Sequence, residues 1–296
     1  METSIFQEKL VAGFNSNRFY WRVIAYRNTS TIDTSNIASF TYFDPNSHDS
    51  LFLWVKADTA ITYSSGDSIS TWGDISANSN NLTQSQAFKQ PKFRSNSINS
   101  YPSVYFDDFF DRLDFSKTLN SINYSISYLY KYVGNNSNVR VIYGSADWHM
   151  GIRSSQYFMV DSTRLFAIDY DTLKYALHSV NSVNGVLKQL VNGVNFGTKP
   201  AIRVPGNLSL GQDSPNGYIP EMLIYKGISD STIPIKTDKY LLDKYAPPVD
   251  LGRDKIICSF PDTLDIYKDT YSSYLWSNGL TDSIIPIDSA GKYLVT

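Results

Sequence analysis

The chain has 296 residues, of which 42% are hydrophobic and 15% aromatic, so it carries enough apolar material for a sizeable core. The formal net charge is −2 and only 18% of residues are charged, which excludes the basic surface that nucleic-acid binding needs. No segment approaches the run of about 18 apolar residues that crosses a membrane. Polarity comes instead from Ser, Asn, Thr and 22 Tyr, a mixture that favours strands and turns over helix interiors.

The first third of the chain predicts strands joined by polar turns. Residues 19–26 and 37–45 are aromatic and β-branched, and they predict a hairpin around a polar turn, followed by a Pro-Asn-Ser linker. "DSLFLWVKAD", residues 49–58, predicts the next strand. "TWGDISANSNNLTQ" then places a tryptophan before a dense run of turn-forming residues.

The middle of the chain continues with short strands. In residues 124–132, alternation puts one side-chain stripe on a single sheet face, and we expect it to be packed: Tyr124, Ile126, Tyr128, Tyr130 and Tyr132. Three tryptophans also read as core residues, namely Trp54, Trp72 and Trp276. Asn192-Gly193, between apolar residues, predicts a two-residue hairpin turn, because both positions accept a positive φ.

Only residues 229–246 predict a helix. Ser229 or Asp230 is the candidate N-cap, and Ile235, Tyr240 and Tyr245 can share one face with Leu241. A Pro-Pro pair then breaks the chain, and strand patterns return to the end. The expected fold class is therefore all-β, an antiparallel β-sandwich with one short C-terminal helix.

Several of these segments, in this order, resemble the laminin-G-like, concanavalin A-like jelly-roll domains of Bacteroidetes-type secreted surface proteins. The resemblance rests on "LFLWVKADTAI", on "YPSVYFDDFFDRLDF" with Phe106, Asp111 and Leu113, on "LKQLVNGVNFG" and on "IPEMLIYKGISD" with the helix after it. A Trp-x-Asp-x-Ser-x-Asn loop completes the set: Trp72, Asp74, Ser76, Asn78 and Asn81. The match implies a jelly roll over residues 46–247.

The flanks resemble other modules in incomplete form. Residues 1–45 are similar to the last strands of a fibronectin type III domain, and residues 248–296 to the start of an immunoglobulin-like module. In that module a cysteine near Cys258 is matched by a second one beyond the strand "YLVT". Half-sandwiches bury too little to stand alone. The resemblance implies an extracellular or cell-surface protein with neighbouring modules, of which this chain is a piece, so that no signal peptide is expected here.

Two alternatives stay open for the loop after Trp72. Asp74, Ser76, Asn78 and Asn81 offer the hard oxygen ligands that Ca²⁺ prefers, with Asp111 or Asp58 as added charge. A structural calcium ion is therefore a candidate cofactor. The same residue types also form turns by bonding to their own backbone, which is the favoured interpretation.

Aromatic residues near turns indicate a second kind of site. Trp148 and His149 lie in or near a connection, and Phe109 and Phe110 lie between acidic residues. Exposed rings beside carboxylates and amides would form a glycan-binding site. The alternative is that these rings cap the sandwich core.

Catalytic patterns are weak. Asp107, Asp108 and Asp111 lie at a turn, Glu221 is isolated in its strand, and the three histidines lack zinc-ligand spacing. The sequence therefore predicts a chain that is not an enzyme: an extracellular recognition or adhesion module that binds glycan or a surface protein, without nucleic acid and without membrane insertion. The alternatives are a structural spacer of a surface fibre and a remote glycoside hydrolase.

Overall fold

The computed structural model describes residues 18–21, 24–27, 30–34, 36, 38–41, 43–107, 109–134, 138–153, 156–169, 173–212, 215–245, 261–265, 274–291 and 293–295. The chain divides into two compact units, Met1–His48 and Asp49–Thr296. Cys258 and Asp108, both singled out above, lie outside the described residues.

The first unit contains two antiparallel strand pairs. Strand β1 (Arg18–Trp21) pairs with β4 (Ala38–Thr41), and β2 (Ile24–Arg27) pairs with β3 (Ser30–Thr34). The polar segment predicted as a turn therefore supplies a strand of its own. A 3₁₀ turn, Pro45–Ser47, follows, and the Asp44 carboxylate caps it by accepting the Asn46 N–H at 3.0 Å.

The second unit is built from antiparallel strands and one α-helix. Its strands up to the helix are β5 (Leu51–Lys56), β6 (Ile61–Ser65), β7 (Ser68–Trp72), β8 (Leu82–Thr83), β9 (Lys92–Ile98), β10 (Tyr101–Phe106), β11 (Leu113–Phe115), β12 (Tyr124–Tyr132), β13 (Asn138–Tyr143), β14 (His149–Arg153), β15 (Gln156–Asp161), β16 (Thr163–Asp169), β17 (Ala176–Val183), β18 (Val186–Val191), β19 (Val194–Pro200), β20 (Ser209–Gln212), β21 (Gly217–Ile219) and β22 (Glu221–Lys226). The helix α1 (Thr232–Tyr245) follows, and then β23 (Asp262–Asp265) and β24 (Ile284–Ile287).

The strands form two sheets. The first sheet has the order β5-β22-β12-β17-β18-β19. The second runs β6-β7-β8-β11-β20-β13-β14-β15-β16, with β9, β10 and β21 attached beside it. Strand β12 joins the two sheets, because its last residues, Lys131 and Tyr132, pair with β21 instead of β22. The predicted all-β antiparallel fold is confirmed.

The core lies between the two sheets. The predicted Tyr124–Tyr132 stripe is buried along its whole length within one large hydrophobic cluster. Trp54, Trp72 and Trp276 are also buried, as predicted. Since the stripe alternates with side chains on the other face of β12, one strand supplies both the core and the surface on which the helix packs.

The Asn192-Gly193 turn has the predicted conformation. Its φ angles are 49° and 79°, and Val191 pairs with Val194 across it, as a two-residue turn with positive φ at both positions requires. The Asn192 side chain adds a further bond, because its Oδ1 accepts the backbone N–H of Leu177 at 2.8 Å. The turn is thereby fixed to the neighbouring strand β17.

Helix α1 packs on the first sheet against β12 and β17. The Asp230 carboxylate accepts the Thr232 N–H at 2.7 Å, so one of the two candidate caps is in use. Ile235, predicted on the packed face, is instead 66% exposed. Among the described residues, no helix is both long and apolar enough to cross a bilayer.

The C-terminal segment has a small hydrophobic cluster of its own. Trp276 and Ile285 are its buried members, and β23 and β24 pair beside them. The indole N–H of Trp276 donates to the Asp282 carbonyl oxygen at 2.8 Å.

Candidate functional site

A row of polar side chains crosses the outer face of the second sheet. The strand register places these residues opposite one another on successive strands: Thr62, Thr71, Thr83, Asp114, Ser209, Tyr143 and His149. Residues paired in this way project from the same face. Their neighbours Leu82, Leu113, Leu210 and Ile142 are buried in the core, so the row belongs to the face directed away from it.

Two cavities adjoin along this row and share Asp114. The larger, about 670 Å³, is lined by polar groups from β11, β13, β20 and the loops beside them: Arg112, Asp114, Tyr143, Ser145, Asn207 and Ser209. The smaller, about 340 Å³, is lined by Ser70, Thr71, Thr83, Gln84, Ser85 and Asp114. We call the two cavities together the sheet-face groove.

The centre of the groove holds an ion pair. The Arg112 Nε donates to the Asp114 Oδ1 at 2.6 Å, and both side chains are more than two-fifths exposed. The Arg112 backbone is fixed on both sides, since its N–H donates to the Lys89 carbonyl at 2.9 Å and its carbonyl accepts the Gln84 Nε2 at 3.1 Å. The pair therefore presents opposite charges at a defined place, and these charges balance.

One end of the groove is shaped by the β13–β14 hairpin. Ala146 and Asp147 both have positive φ, 54° and 62°, and the Trp148 N–H donates back to the Ser145 carbonyl at 3.1 Å. The Ser145 hydroxyl oxygen accepts the Asn207 N–H at 3.1 Å, which joins the hairpin to the loop before β20. The tight turn thus brings a hydroxyl and an amide to the groove wall.

An aromatic ring lies at the same end. The half-buried Tyr143 ring has the Arg140 guanidinium 5.4 Å from its centroid and the His149 ring 6.3 Å away. The Nδ1 of His149 is 3.2 Å from the Asp147 carbonyl oxygen. His149, predicted as a ligand-binding residue, therefore lies next to the groove in the same row as Asp114.

The interpretation of Trp148 as a stacking surface is corrected by its burial. Its side chain has no exposed surface, and its Nε1 donates to the Tyr124 hydroxyl at 2.8 Å across the core. The two rings meet edge to face at 5.9 Å. Trp148 therefore anchors the β13–β14 hairpin, and the ring that reaches the groove from this hairpin is Tyr143.

Phe109 and Phe110, also predicted as binding residues, are exposed. They contact each other, and Phe110 contacts Phe88, which the sequence reasoning did not select. Phe88 lies in the 3₁₀ turn Ala87–Lys89. The sequence signal that could have identified Phe88 is its position as an aromatic residue in an otherwise polar segment between short strands.

The Asp74 carboxylate, the charged member of the predicted calcium loop, accepts four hydrogen bonds. Its Oδ1 accepts the backbone N–H of Trp54 and of Ser76, each at 2.9 Å. Its Oδ2 accepts the Asn80 N–H and the Ser76 hydroxyl, each at 2.8 Å. Both carboxylate oxygens are therefore engaged by donors that close the loop.

The rest of this loop covers the edge of β5. The Ile75 N–H donates to the Trp54 carbonyl at 2.8 Å, and the Asn78 Nδ2 donates to the Leu51 carbonyl at 2.6 Å. The Asn81 Oδ1 accepts the Asp74 N–H at 2.9 Å. An uncovered strand edge invites pairing with another chain, so this loop has a structural task that accounts for its residues. Calcium binding stays a prediction.

Asp111 belongs to a different loop. Its carboxylate is buried and accepts the Asp107 N–H at 2.7 Å, which closes the segment that carries Phe109 and Phe110. Glu221 is likewise buried, and its carboxylate accepts four side-chain donors. Among the described residues, no cluster of three or more His, Cys, Asp or Glu side chains is arranged to hold a metal ion.

No protein-family model and no curated protein sequence matches the chain. Several solved structures are similar to it. Domain 4 of the extracellular GH43 arabinanase AbnA from Geobacillus stearothermophilus, in complex with arabinotriose, is 14% identical over 61% of this chain and 94% of its own, with a TM-score of 0.42. The sialidase of Trypanosoma rangeli, in complex with the inhibitor DANA, is 8% identical with a TM-score of 0.44; the match covers 76% of this chain but only 42% of the sialidase. An alginate lyase from Corynebacterium sp. is 12% identical over 59% of this chain and 92% of its own, with a TM-score of 0.34.

These matches correct one prediction. The sequence pattern predicted that the chain is not an enzyme, yet the similar structures include a sialidase, an alginate lyase and a domain of an arabinanase. The exclusion is withdrawn.

Proposed function

We propose that the second unit binds a linear glycan in the sheet-face groove. The observation that carries the proposal is the row of polar side chains that lines two adjoining cavities around Asp114. Sugar hydroxyls both donate and accept hydrogen bonds, and the groove offers matching groups: a carboxylate, a guanidinium, an amide and several hydroxyls. The Tyr143 ring supplies an aromatic surface for the C–H groups of a pyranose.

The dimensions of the groove favour a chain of sugars over a single one. From β7 to β13 the groove crosses five neighbouring strands, which is four steps of about 4.8 Å or about 19 Å in all. A pyranose unit in a linear glycan is of similar length to one such step. The groove therefore has room for about four units that run across the strands.

The charge of the groove favours a neutral glycan. Among the described residues, the charged side chains that line the groove are Arg112 and Asp114, and these pair with each other. The Arg140 guanidinium lies against the Tyr143 ring at one end. An acidic glycan would bring charge that this pair does not balance, whereas neutral hydroxyls can bond to both partners. We therefore expect cello-, xylo-, manno- or laminari-oligosaccharides to bind better than uronate or sulfated chains.

A glycan array tests the proposal. We expect the wild-type chain to bind neutral linear glycans, and Tyr143→Ala and Asp114→Ala each to weaken binding by at least about tenfold, or about 1.4 kcal/mol. Ile235→Ala, which removes an exposed side chain on α1, is the matched control and should bind as the wild type does. Background binding of the wild type to every glycan would contradict the proposal. Shortening of a bound glycan would add catalysis to binding.

We also propose the finer assignment that the resemblance implies. In it, residues 46–247 are a laminin-G-like jelly roll of an extracellular or cell-surface protein, flanked by partial fibronectin type III and immunoglobulin-like modules. The ordered motifs from "LFLWVKADTAI" to "YLLDKYA" support it. Intact-mass measurement of the native protein checks it, since a mature protein no larger than 33.4 kDa would contradict the assignment.

A further inference from the structure

Three phenylalanine side chains form an exposed cluster on the second unit. Phe88 is 67% exposed, and Phe109 and Phe110 are each 54% exposed. The ring centroids of Phe88 and Phe110 are 6.3 Å apart, and those of Phe109 and Phe110 are 5.2 Å apart. We call these residues the phenylalanine cluster. Single exposed apolar side chains are ordinary, whereas three rings that contact one another in a row form a continuous apolar patch, which is a candidate site of interaction.

A hydrogen bond and an ion pair hold Asp107 and Asp111, which lie on either side of Phe109 and Phe110 in the sequence. The Asp107 N–H donates to the Asp111 Oδ2 at 2.7 Å, and the Lys92 Nζ lies 2.7 Å from the Asp107 Oδ2. These contacts fix both ends of the segment that carries Phe109 and Phe110. Phe109 and Phe110 are exposed to solvent, although this exposure contributes nothing to folding stability.

Hydrogen bonds join the segment that carries Phe88 to the lining of the sheet-face groove. Gln84 lines the smaller cavity, its Nε2 donates to the Arg112 carbonyl, and its Oε1 accepts the Gln86 N–H at 3.0 Å. Arg112 in turn donates its N–H to the carbonyl of Lys89, the residue after Phe88. Two hydrogen bonds therefore connect the groove centre to the 3₁₀ turn that carries Phe88.

The size of the cluster argues for a sugar and against a protein partner. At these exposures the three rings present on the order of 350 Å² to solvent. A stable protein–protein interface covers about 800 Å² on each partner, so the cluster alone is too small for one. The Lys89 ammonium lies 5.4 Å from the Phe88 ring centroid. It places a hydrogen-bond donor next to Phe88, and the hydroxyls of a sugar stacked there can accept from it.

We propose that the phenylalanine cluster is an extension of the groove that stacks one or two further sugar units of the same neutral glycan. This inference rests on the proposed function. It adds that the protein discriminates by chain length, because only a glycan that extends beyond the smaller cavity reaches the rings. Short oligosaccharides occupy the groove alone, and longer ones gain affinity from the cluster.

Calorimetric titration with a series from disaccharide to octasaccharide, of the cello-, xylo-, manno- or laminari-type, tests the inference. We expect the wild-type affinity to rise with length past the tetrasaccharide. The double variant Phe88→Ala/Phe110→Ala should lose about tenfold for the octasaccharide and less than about twofold for the trisaccharide. Ile235→Ala should match the wild type at every length.

The outcomes separate this inference from the proposed function. If the double variant binds every length as tightly as the wild type, the extension is wrong while the groove stands. If Tyr143→Ala leaves both short and long chains unaffected, or if no oligosaccharide binds the wild type, the groove is wrong and the extension with it. Sedimentation that shows a wild-type dimer and a monomeric double variant would assign the cluster to self-association and overturn the inference. Because the Phe88 and Phe110 rings are exposed, we expect the double variant to fold.

Discussion

The indole N–H of Trp54 donates a hydrogen bond of 2.7 Å to the Glu221 carboxylate, which has no exposed surface. The same carboxylate accepts the hydroxyls of Tyr240 and Tyr245, at 2.9 and 2.7 Å, and the Lys244 ammonium at 2.6 Å. Burial, followed by the charge of Glu221, raises the pKa of Tyr245, so its phenol remains a donor. One buried carboxylate thus joins β5, β22 and α1.

We expect Glu221→Gln to destabilise the protein by about 3 to 5 kcal/mol, because it leaves the Lys244 ammonium near the core without its counter-charge. The glutamine amide also brings N–H donors to a site in which four side-chain donors already point at this position. Urea unfolding followed by tryptophan fluorescence measures the change. Asp243→Asn breaks the exposed Lys239–Asp243 pair and should cost less than about 0.5 kcal/mol. Equal losses in the two variants would contradict a special role for Glu221.

A second buried carboxylate makes stability depend on pH. Asp238 on α1 accepts the Ser127 and Ser179 hydroxyls, each at 2.7 Å, and burial raises its pKa from 3.8 to about 6. Since the folded state holds the proton more tightly, the contribution of this group is fully present below about pH 4 and is lost as the pH rises through about 6.

We therefore expect Asp238→Asn to be more stable than the wild type at pH 8, by up to about 3 kcal/mol, and to be nearly equal to it at pH 4. The asparagine keeps the neutral state that the site favours. Urea unfolding at the two pH values checks this. A gap that is the same at both values would show that Asp238 does not titrate in this range.

His178 makes stability depend on pH in the opposite direction to Asp238. Its ring is buried among Tyr128, Tyr130 and Tyr157, with the Tyr157 centroid 3.9 Å away, and burial lowers its pKa from 6.5 to about 3. Because the unfolded chain takes up the proton first, this stability is present above about pH 6.5 and is lost as the pH falls toward 3. Between about pH 4 and 6, His178 and Asp238 therefore oppose each other.

We expect His178→Leu to lose less stability than the wild type when the pH is lowered from 7 to 4, by about 3 kcal/mol. The variant lacks the group that the unfolded state protonates. Acid unfolding followed by near-ultraviolet circular dichroism should show a midpoint at lower pH. An unchanged midpoint would place the acid sensitivity elsewhere.

Removing the Asp74 carboxylate should expose the edge of β5. Asp74→Ala takes the acceptor from four donors, and we expect a loss of about 2 to 4 kcal/mol. If these bonds are the whole role of the loop, the melting temperature of the wild type is the same in calcium and in EDTA. A rise in calcium that Asp74→Ala abolishes would instead support the calcium site.

The strands and turns that were predicted correctly follow from local sequence patterns. Strand alternation predicted the buried stripe of β12, and Asn192-Gly193 predicted its turn, because both depend on neighbours in the sequence. Helix α1 was predicted, but Ile235 was placed on the wrong face. The packed face instead includes Asp238, whose hydroxyl partners lie on distant strands, so apolar periodicity could not find it.

The groove could not be predicted from the sequence, because its residues also come together from strands that are distant in the chain. Thr71, Asp114, Tyr143 and Ser209 each read as an ordinary outward residue of a short strand, and only the register aligns them. For Trp148 the sequence suggested exposure, because a tryptophan stands there beside turn residues. Its side chain is instead buried against Tyr124, which lies on β12 in the first sheet. Phe109 and Phe110 are exposed, as a binding role would require, and that role stays a prediction.

The most direct measurement is a map of backbone amide shifts in the ¹⁵N-labelled chain, titrated with the neutral oligosaccharide that binds best on the array. The account predicts that the largest changes follow one line across the sheet, at Thr71, Thr83, Asp114, Ser209 and Tyr143. Changes that leave this line untouched and lie on α1 or the first sheet would contradict it.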